Sequence, residues 1–379
     1  MRWRNGGIGM HWAEAYPRMD VDWAQVELVL RRKVPDQVPV VELFTDHDFI
    51  QAVLGYHWTA VAANRDYAEW QRYWLWRIEY QKLAGPAYIN AGMDGLVYPV
   101  RKVACATNTA ELALGDRAWV NETEGVITSR EDFEAYPWPT SPFNRRQTDF
   151  IAENAPPGMG IIMTSSGILE WAMWLMSFET FSMALHDQPD LARDVVNRVG
   201  ERFLDFYRQA AQHEAVRAVW MGDDLGFKTA TMISPQHLRE YIFPWHRRIA
   251  EAAHAAGKPY LLHACGNIDA VMEDLIEYVG IDARHSFEDV IEPVTSVKRR
   301  YGHRIAIIGG VDVDFISRRS EQEVRQYVRR ILEECTPGGE YAVGTGNSVA
   351  NYIPIRNYVA MLQEVAAFNG ERIGVGRTD

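Results

Sequence analysis

The chain has 379 residues, 47% of them hydrophobic, which fits one barrel-sized domain or two ordinary ones. Acidic residues outnumber basic ones 51 to 39, for a formal net charge of -12, and no basic stripe is evident, which argues against nucleic acid as a partner. Three cysteines are too few for a disulfide framework, and no apolar run reaches the length of a membrane helix or a signal core, so a soluble, cytoplasmic, reducing location is expected.

In chain order, residues 1–37 predict an N-terminal extension of a helix or two before the first strand. Short β-branched runs bounded by glycine, proline or polar residues then recur at 38–44, 87–91, 160–164, 218–221, 259–263, 281–284, 304–308 and 340–343. Between them the apolar residues fall at helical spacing: Tyr67, Trp70, Trp74 and Ile78, then Leu191, Val195, Val199 and Phe203, then Leu238, Tyr241, Trp245 and Ile249. Ser234 and Pro235 supply a start signal for the last of these helices. Residues 92–158 break the rhythm, alternating like a hairpin in "KVACATNTAELALG" and "AWVNETEGVITS" before a proline-rich stretch. Eight strand-plus-helix units predict an α/β fold of the (β/α)8 TIM-barrel class. It is a single domain over 1–379, with 92–158 inserted between the second and third strands near the barrel mouth.

Active sites of such barrels lie at the C-terminal strand ends, so the residues following each run are the candidates. They are Asp46 after the first, Asp94 after the second, Ser165 after the third, and Asp223 and Asp224 after the fourth. His263 and Cys265 end the fifth, His285 the sixth, and Asn347 lies in "GTGNS" after the last. Adjacent carboxylates at a barrel mouth can bind metal or shift each other's pKa, and they can equally cap a turn. In an extended chain residues i and i+2 face one side, which places the Cα atoms of His263 and Cys265 about 6.5 to 7 Å apart, close enough for one ion to touch both. Imidazole and thiolate are a normal zinc pair, but a catalytic zinc takes three protein ligands; a core histidine beside an inert cysteine is the alternative. Cys335 falls in register with Val324, Val328 and Ile331 and is expected in the core, and Cys105 lies in the insertion.

The runs "MGDDLGFKTATMISPQHLREYIFPWH", "PYLLHACGNIDAVM", "IIGGVD" and "GGEYAVGTGNSVANYIP" resemble the uroporphyrinogen decarboxylase superfamily, nearest its methylcobamide:coenzyme M methyltransferase branch. The resemblance implies a methyltransferase that moves a methyl group between a small thiol or methoxy substrate and a corrinoid held by a partner protein, with zinc assisting. In that branch zinc sits on His-x-Cys plus a later cysteine; His263 and Cys265 match the first two, while Asn347 occupies the third position, so an acid such as Asp223 or Asp224 would have to complete the site. The same likeness casts Asp94, Asp224 and His285 as catalytic groups and Asp46, Ser165, Asp223 and Asn347 as substrate contacts. Uroporphyrinogen decarboxylases themselves hold the pyrrole N–H groups with an aspartate that Asp94 matches. They also carry an arginine-rich stretch after the first strand, where this chain has "ELFTDHDF". A porphyrinogen needs cations for its acidic arms, which ranks tetrapyrrole decarboxylation second and a non-catalytic tetrapyrrole or small-molecule binder third.

Overall fold

The computed structural model describes residues 12–56, 66–92, 98–104, 109–114, 118–121, 123–139 and 143–375. Asp94 and Cys105 lie outside them. Seven parallel strands form one sheet: β1 (Tyr88–Ala91), β4 (Gly160–Ser165), β5 (Val216–Gly222), β6 (Tyr260–His263), β7 (Ala283–His285), β8 (Ala306–Ile308) and β9 (Tyr341–Ala342), paired in that order. Each link crosses over through helical segments, so the architecture is the α/β barrel that the alternation predicts.

The segment expected as the first strand, 38–44, is less regular than its sequence suggests. It joins the far edge through a parallel bridge of Val40 to Val343, with Val41 N–H donating to the Val343 carbonyl at 2.7 Å and Val343 N–H to that of Pro39 at 3.0 Å. On the β1 side, side chains replace the backbone ladder. Tyr88 Oη donates to the Glu42 carbonyl and accepts from the Glu42 amide, and Asn90 Nδ2 donates to the carbonyls of Glu42 and Leu43. Those side chains satisfy the backbone groups that a continuous ladder would use.

Alternation along each strand sorts the core. Tyr88, Ile162, Ala218, Trp220, Leu261, Ala283, Ala306, Ile308 and Ala342 cluster with Val41 and with Trp23, Val26, Val29 and Leu30 of the helix Trp23–Leu30, which packs this inner cluster from the N-terminal extension. Their neighbours Ile89, Ile161, Met163, Val219, Met221, Leu262 and Ile307 pack outward against the helices. The period of two thus sets His263 and Cys265 on the same side as Leu261, and His285 on the same side as Ala283, at the C-terminal end of the barrel.

The inserted region is more than a hairpin. β2 (Lys102–Ala104) pairs antiparallel with β3 (Ala118–Val120), and two helices, Arg130–Ala135 and Arg145–Asn154, follow before β4. The first opens on a capping box between Ser129 and Asp132. The helix start at Ser234 and Pro235 leads into a π-helical turn, Leu238–Ile242, before Pro244, a residue that cannot donate to the helical ladder. Cys335 is fully buried at the end of the helix Glu321–Cys335, in register with Val324, Val328 and Ile331. Among the described residues no helix is long and apolar enough to cross a membrane.

Candidate metal centre and substrate cavity

Three donors converge where β5 and β6 end. Cys265 Sγ lies 3.2 Å from His263 Nε2, Asp224 Oδ1 lies 3.7 Å from the same nitrogen, and one ligand atom from each residue falls within 4.8 Å of the others. The loops carrying them are locked together. Gly226 N–H donates to the Cys265 carbonyl at 3.1 Å, Asn267 N–H to that of Phe227 at 2.7 Å, and Cys265 N–H to Asp224 Oδ1 at 3.3 Å. Gly266, at φ +77°, crosses so close to Gly226 that a Cβ there would meet its backbone at 2.3 Å.

A chain of hydrogen bonds fixes which nitrogen of His263 faces that group. Burial lowers His263 to about 4 and His285 well below its ordinary value, so each ring is neutral with one proton near pH 7. The Thr345 carbonyl can only accept, so His285 Nε2, 3.1 Å away, carries the proton of that ring. His285 Nδ1 is then an acceptor, His263 Nδ1–H donates to it across 2.7 Å, and His263 Nε2 presents its lone pair to Cys265 and Asp224. The ring of Trp220 packs edge-on against His285, with centroids 5.2 Å apart. His285, expected as a catalytic group, is buried behind His263 and hydrogen-bonded to it, outside the cavity lining.

Beneath the relay lies Glu42, buried and absent from the sequence-based candidates. Its carboxylate accepts from Thr345 N–H at 3.0 Å and from the Thr345 hydroxyl at 2.5 Å. Burial lifts its pKa to about 8, against the pull of the Thr345 hydrogen bonds. The folded chain therefore holds a proton that the unfolded chain releases above about 4.5, and stability falls as pH rises from about 4.5 to about 8, by at most roughly 5 kcal/mol. Glu42→Gln is expected to make that decline shallower, read as urea midpoints at pH 5 and pH 8. An unchanged slope would assign the effect to other groups.

The two adjacent aspartates part company. Asp224 enters the cavity described below, whereas Asp223 is fully buried and accepts from the backbone N–H groups of Ile168, Leu169 and Glu170, each at 3.1 Å, and from His246 Nε2 at 2.8 Å. Asp223, expected at the substrate, instead anchors the N-terminus of the helix Ile168–Met176. Asp46 likewise lies outside the cavity lining, with a carboxylate oxygen accepting from Asn351 N–H at 2.8 Å.

The donors line a cavity of ≈ 660 Å³ at the barrel mouth, together with Ser165 and Asn347. Ser165 Oγ lies 2.5 Å from Tyr207 Oη, and Asn347 Nδ2 donates to Cys265 Sγ at 3.3 Å. At Asn347 this chain thus has a donor to the cysteine, and Asp224 brings a third candidate ligand atom to the group. Sequence reading also missed Glu170 and Arg77, both on helices rather than at strand ends. Burial, then the charges of Asp224 and Asp223, raise Glu170 well above the ordinary carboxyl range, and its Oε2 accepts from Gly167 N–H at 2.9 Å. The only sequence signal for Glu170 is its place at the third position of a helix whose preceding residue is a glycine. Burial, then the Asp224 charge, push the Cys265 thiol far up, so without a cation the sulfur keeps its proton. A carboxylate, an imidazole lone pair and a thiol form the donor set of a three-ligand metal centre, and the residues present fit such an ion.

A profile of the uroporphyrinogen decarboxylase (URO-D) family matches residues 122–368. A methylated-thiol–coenzyme M methyltransferase from Methanosarcina mazei is 30% identical over 136 residues, which are 36% of this chain and 34% of the relative, so the match spans about a third of that protein's length. Among solved structures, a methyltransferase from Methanosarcina mazei superposes with a TM-score of 0.66 at 16% identity, covering 91% of this chain and 98% of its own. A candidate vitamin-B12-independent methionine synthase from Listeria monocytogenes gives 0.50 at 14% identity, covering 88% and 98%. These two likenesses bear on the fold alone, and both extend over nearly the whole barrel. The family profile, by contrast, takes in β4 through β9 together with Asp224, His263 and Cys265, more than half of the sequence, and on that match the chain belongs to the uroporphyrinogen decarboxylase family.

Proposed function

We propose that the chain, working as one barrel domain over 1–379, transfers a methyl group between a small thiol or methoxy substrate and a corrinoid carried by a partner protein, with zinc held by Asp224, His263 and Cys265. The observation that carries this reading is the three-donor group, which opens into a cavity sized for a small molecule. The Methanosarcina mazei relative supports the choice of methyl transfer. Zinc at such a site supplies Lewis acidity, lowering the pKa of a thiol or making an ether oxygen a better leaving group.

The protein's own groups divide the remaining work. Asp224 and Cys265 offer two negative charges and His263 a neutral nitrogen, which together balance a divalent ion. His285 holds His263 in its tautomer. Ser165 and Asn347 contact substrate, and Asp94 positions it. Glu170, whose pKa burial raises, gives its proton to the heteroatom that loses its methyl group.

Elemental analysis of purified protein tests the metal. Wild type is expected to carry about one zinc per chain, in line with a single three-ligand centre, and Cys265→Ala and His263→Ala to lose it. Full activity in metal-free protein would overturn the reading.

A further inference from the structure

The loop after β9 reaches the metal group by two routes. Its backbone is laddered to the 38–44 segment before and after the turn: Val343 N–H donates to the Pro39 carbonyl at 3.0 Å, and Val349 N–H to that of Phe44 at 3.0 Å. Between those points the partner on that side is a side chain. The Glu42 carboxyl takes the Thr345 amide on both oxygens, at 3.0 Å each, and the Thr345 hydroxyl lies 2.5 Å from Oε2. Gly344, one residue earlier, passes so close that a Cβ there would meet the Val41 carbonyl at 2.1 Å, and this approach brings Thr345 to the glutamate. From Thr345 one route runs through its carbonyl, which accepts from His285 Nε2 at 3.1 Å, while His285 Nδ1 orients His263 across 2.7 Å. The other runs along the loop. The Thr345 hydroxyl lies 3.1 Å from the Asn347 carbonyl, and Asn347 Nδ2 donates to Cys265 Sγ at 3.3 Å. One buried carboxyl, outside the cavity lining, thus stands behind two of the three donors without touching either.

Resting on the metal centre of the proposed function, we infer that Glu42 is a positioning residue for that centre: by holding Thr345 it sets the carbonyl that orients His263 through His285 and the loop from which Asn347 reaches Cys265. Groups that fix the far side of a ligating imidazole or thiolate hold its lone pair where the ion must sit, and metal affinity depends on them. The clamp works by shape and hydrogen bonding. A glutamine at position 42 offers a carbonyl oxygen to the Thr345 amide and an N–H to the Thr345 hydroxyl, so it keeps the clamp. A leucine fills the space and leaves the Thr345 amide without its acceptor.

Anaerobic titration of metal-free protein with cobalt(II) against a competing chelator tests the assignment, read on the charge-transfer band between the Cys265 thiolate and the ion. Wild type, Glu42→Leu, Glu42→Gln and Thr345→Val are compared at a temperature where circular dichroism shows each to be folded. Glu42→Leu is expected to bind cobalt about 10- to 100-fold more weakly than wild type, with a shifted band, the range for losing a group that orients metal ligands. Glu42→Gln is expected to stay within about threefold of wild type, and Thr345→Val, which removes the hydroxyl from the clamp, to weaken binding by more than about threefold. A role confined to folding would lower the urea midpoint and leave cobalt affinity and band unchanged. That result in Glu42→Leu, or in Thr345→Val should Glu42→Leu not fold, overturns the proposal. A glutamine variant as weak as the leucine variant overturns it as well, by assigning the effect to charge. Wild type that binds no cobalt overturns the metal centre itself, whereas cobalt binding that these variants leave unmoved overturns only the part assigned to Glu42.

Discussion

His263→Ala is expected to lower kcat/KM by about 10³-fold or more while the protein stays folded, because the substitution takes away the one donor on which the others converge. Cys265 Sγ lies 3.2 Å from its Nε2 and Asp224 Oδ1 lies 3.7 Å from it, so without the imidazole two charged or chargeable groups face each other with nothing between. A loss of that size is what removal of a transition-state interaction worth about 4 kcal/mol produces. Asp94→Asn serves as the counterpart. Under methyl transfer it impairs turnover less than His263→Ala does. Under porphyrinogen decarboxylation, where Asp94 would hold the pyrrole N–H groups and no metal is required, the order reverses. Steady-state kinetics of both variants, with zinc content measured on the same samples, decides between the two chemistries.

Asp223→Asn is expected to cost about 3–5 kcal/mol of stability, the range for breaking one member of a buried, hydrogen-bonded charge set. Three helix N–H groups and His246 all point at the two carboxylate oxygens. An amide offers one acceptor oxygen and turns an NH2 toward N–H donors, leaving buried groups unpaired. The urea midpoint at constant slope reads the loss. Zinc content at a temperature where the variant is folded is expected to match wild type, because Asp223 is no ligand. A variant as stable as wild type but inactive would return Asp223 to the substrate.

Adjacent carboxylates in "GDDLG" show where sequence reasoning runs out. Both residues share one local environment in the chain, and nothing in it says which turns inward. The helix Ile168–Met176, more than 50 residues earlier, and His246, 23 residues later, claim Asp223, and Asp224 is left for the cavity. Asn347 follows the same rule: its loop position was legible, but its hydrogen bond to Cys265 depends on where β6 ends relative to the last loop. Arg77 and Glu170 escaped because a search of strand ends overlooks helices that lean over the mouth.

The sequence by itself determined the alternation of strands and helices, the polar strand ends and the common facing of His263 and Cys265, because each of these follows from a period of two or of 3.6 residues along one stretch of chain. It also determined the burial of Cys335, which follows from helical register. Tertiary structure decided the third donor, the neutral tautomer of His263 and the buried carboxyl of Glu42. Each of these depends on groups distant in sequence meeting in space. Protonation, pairing and coordination are settled there by distance and burial, quantities that no local pattern encodes.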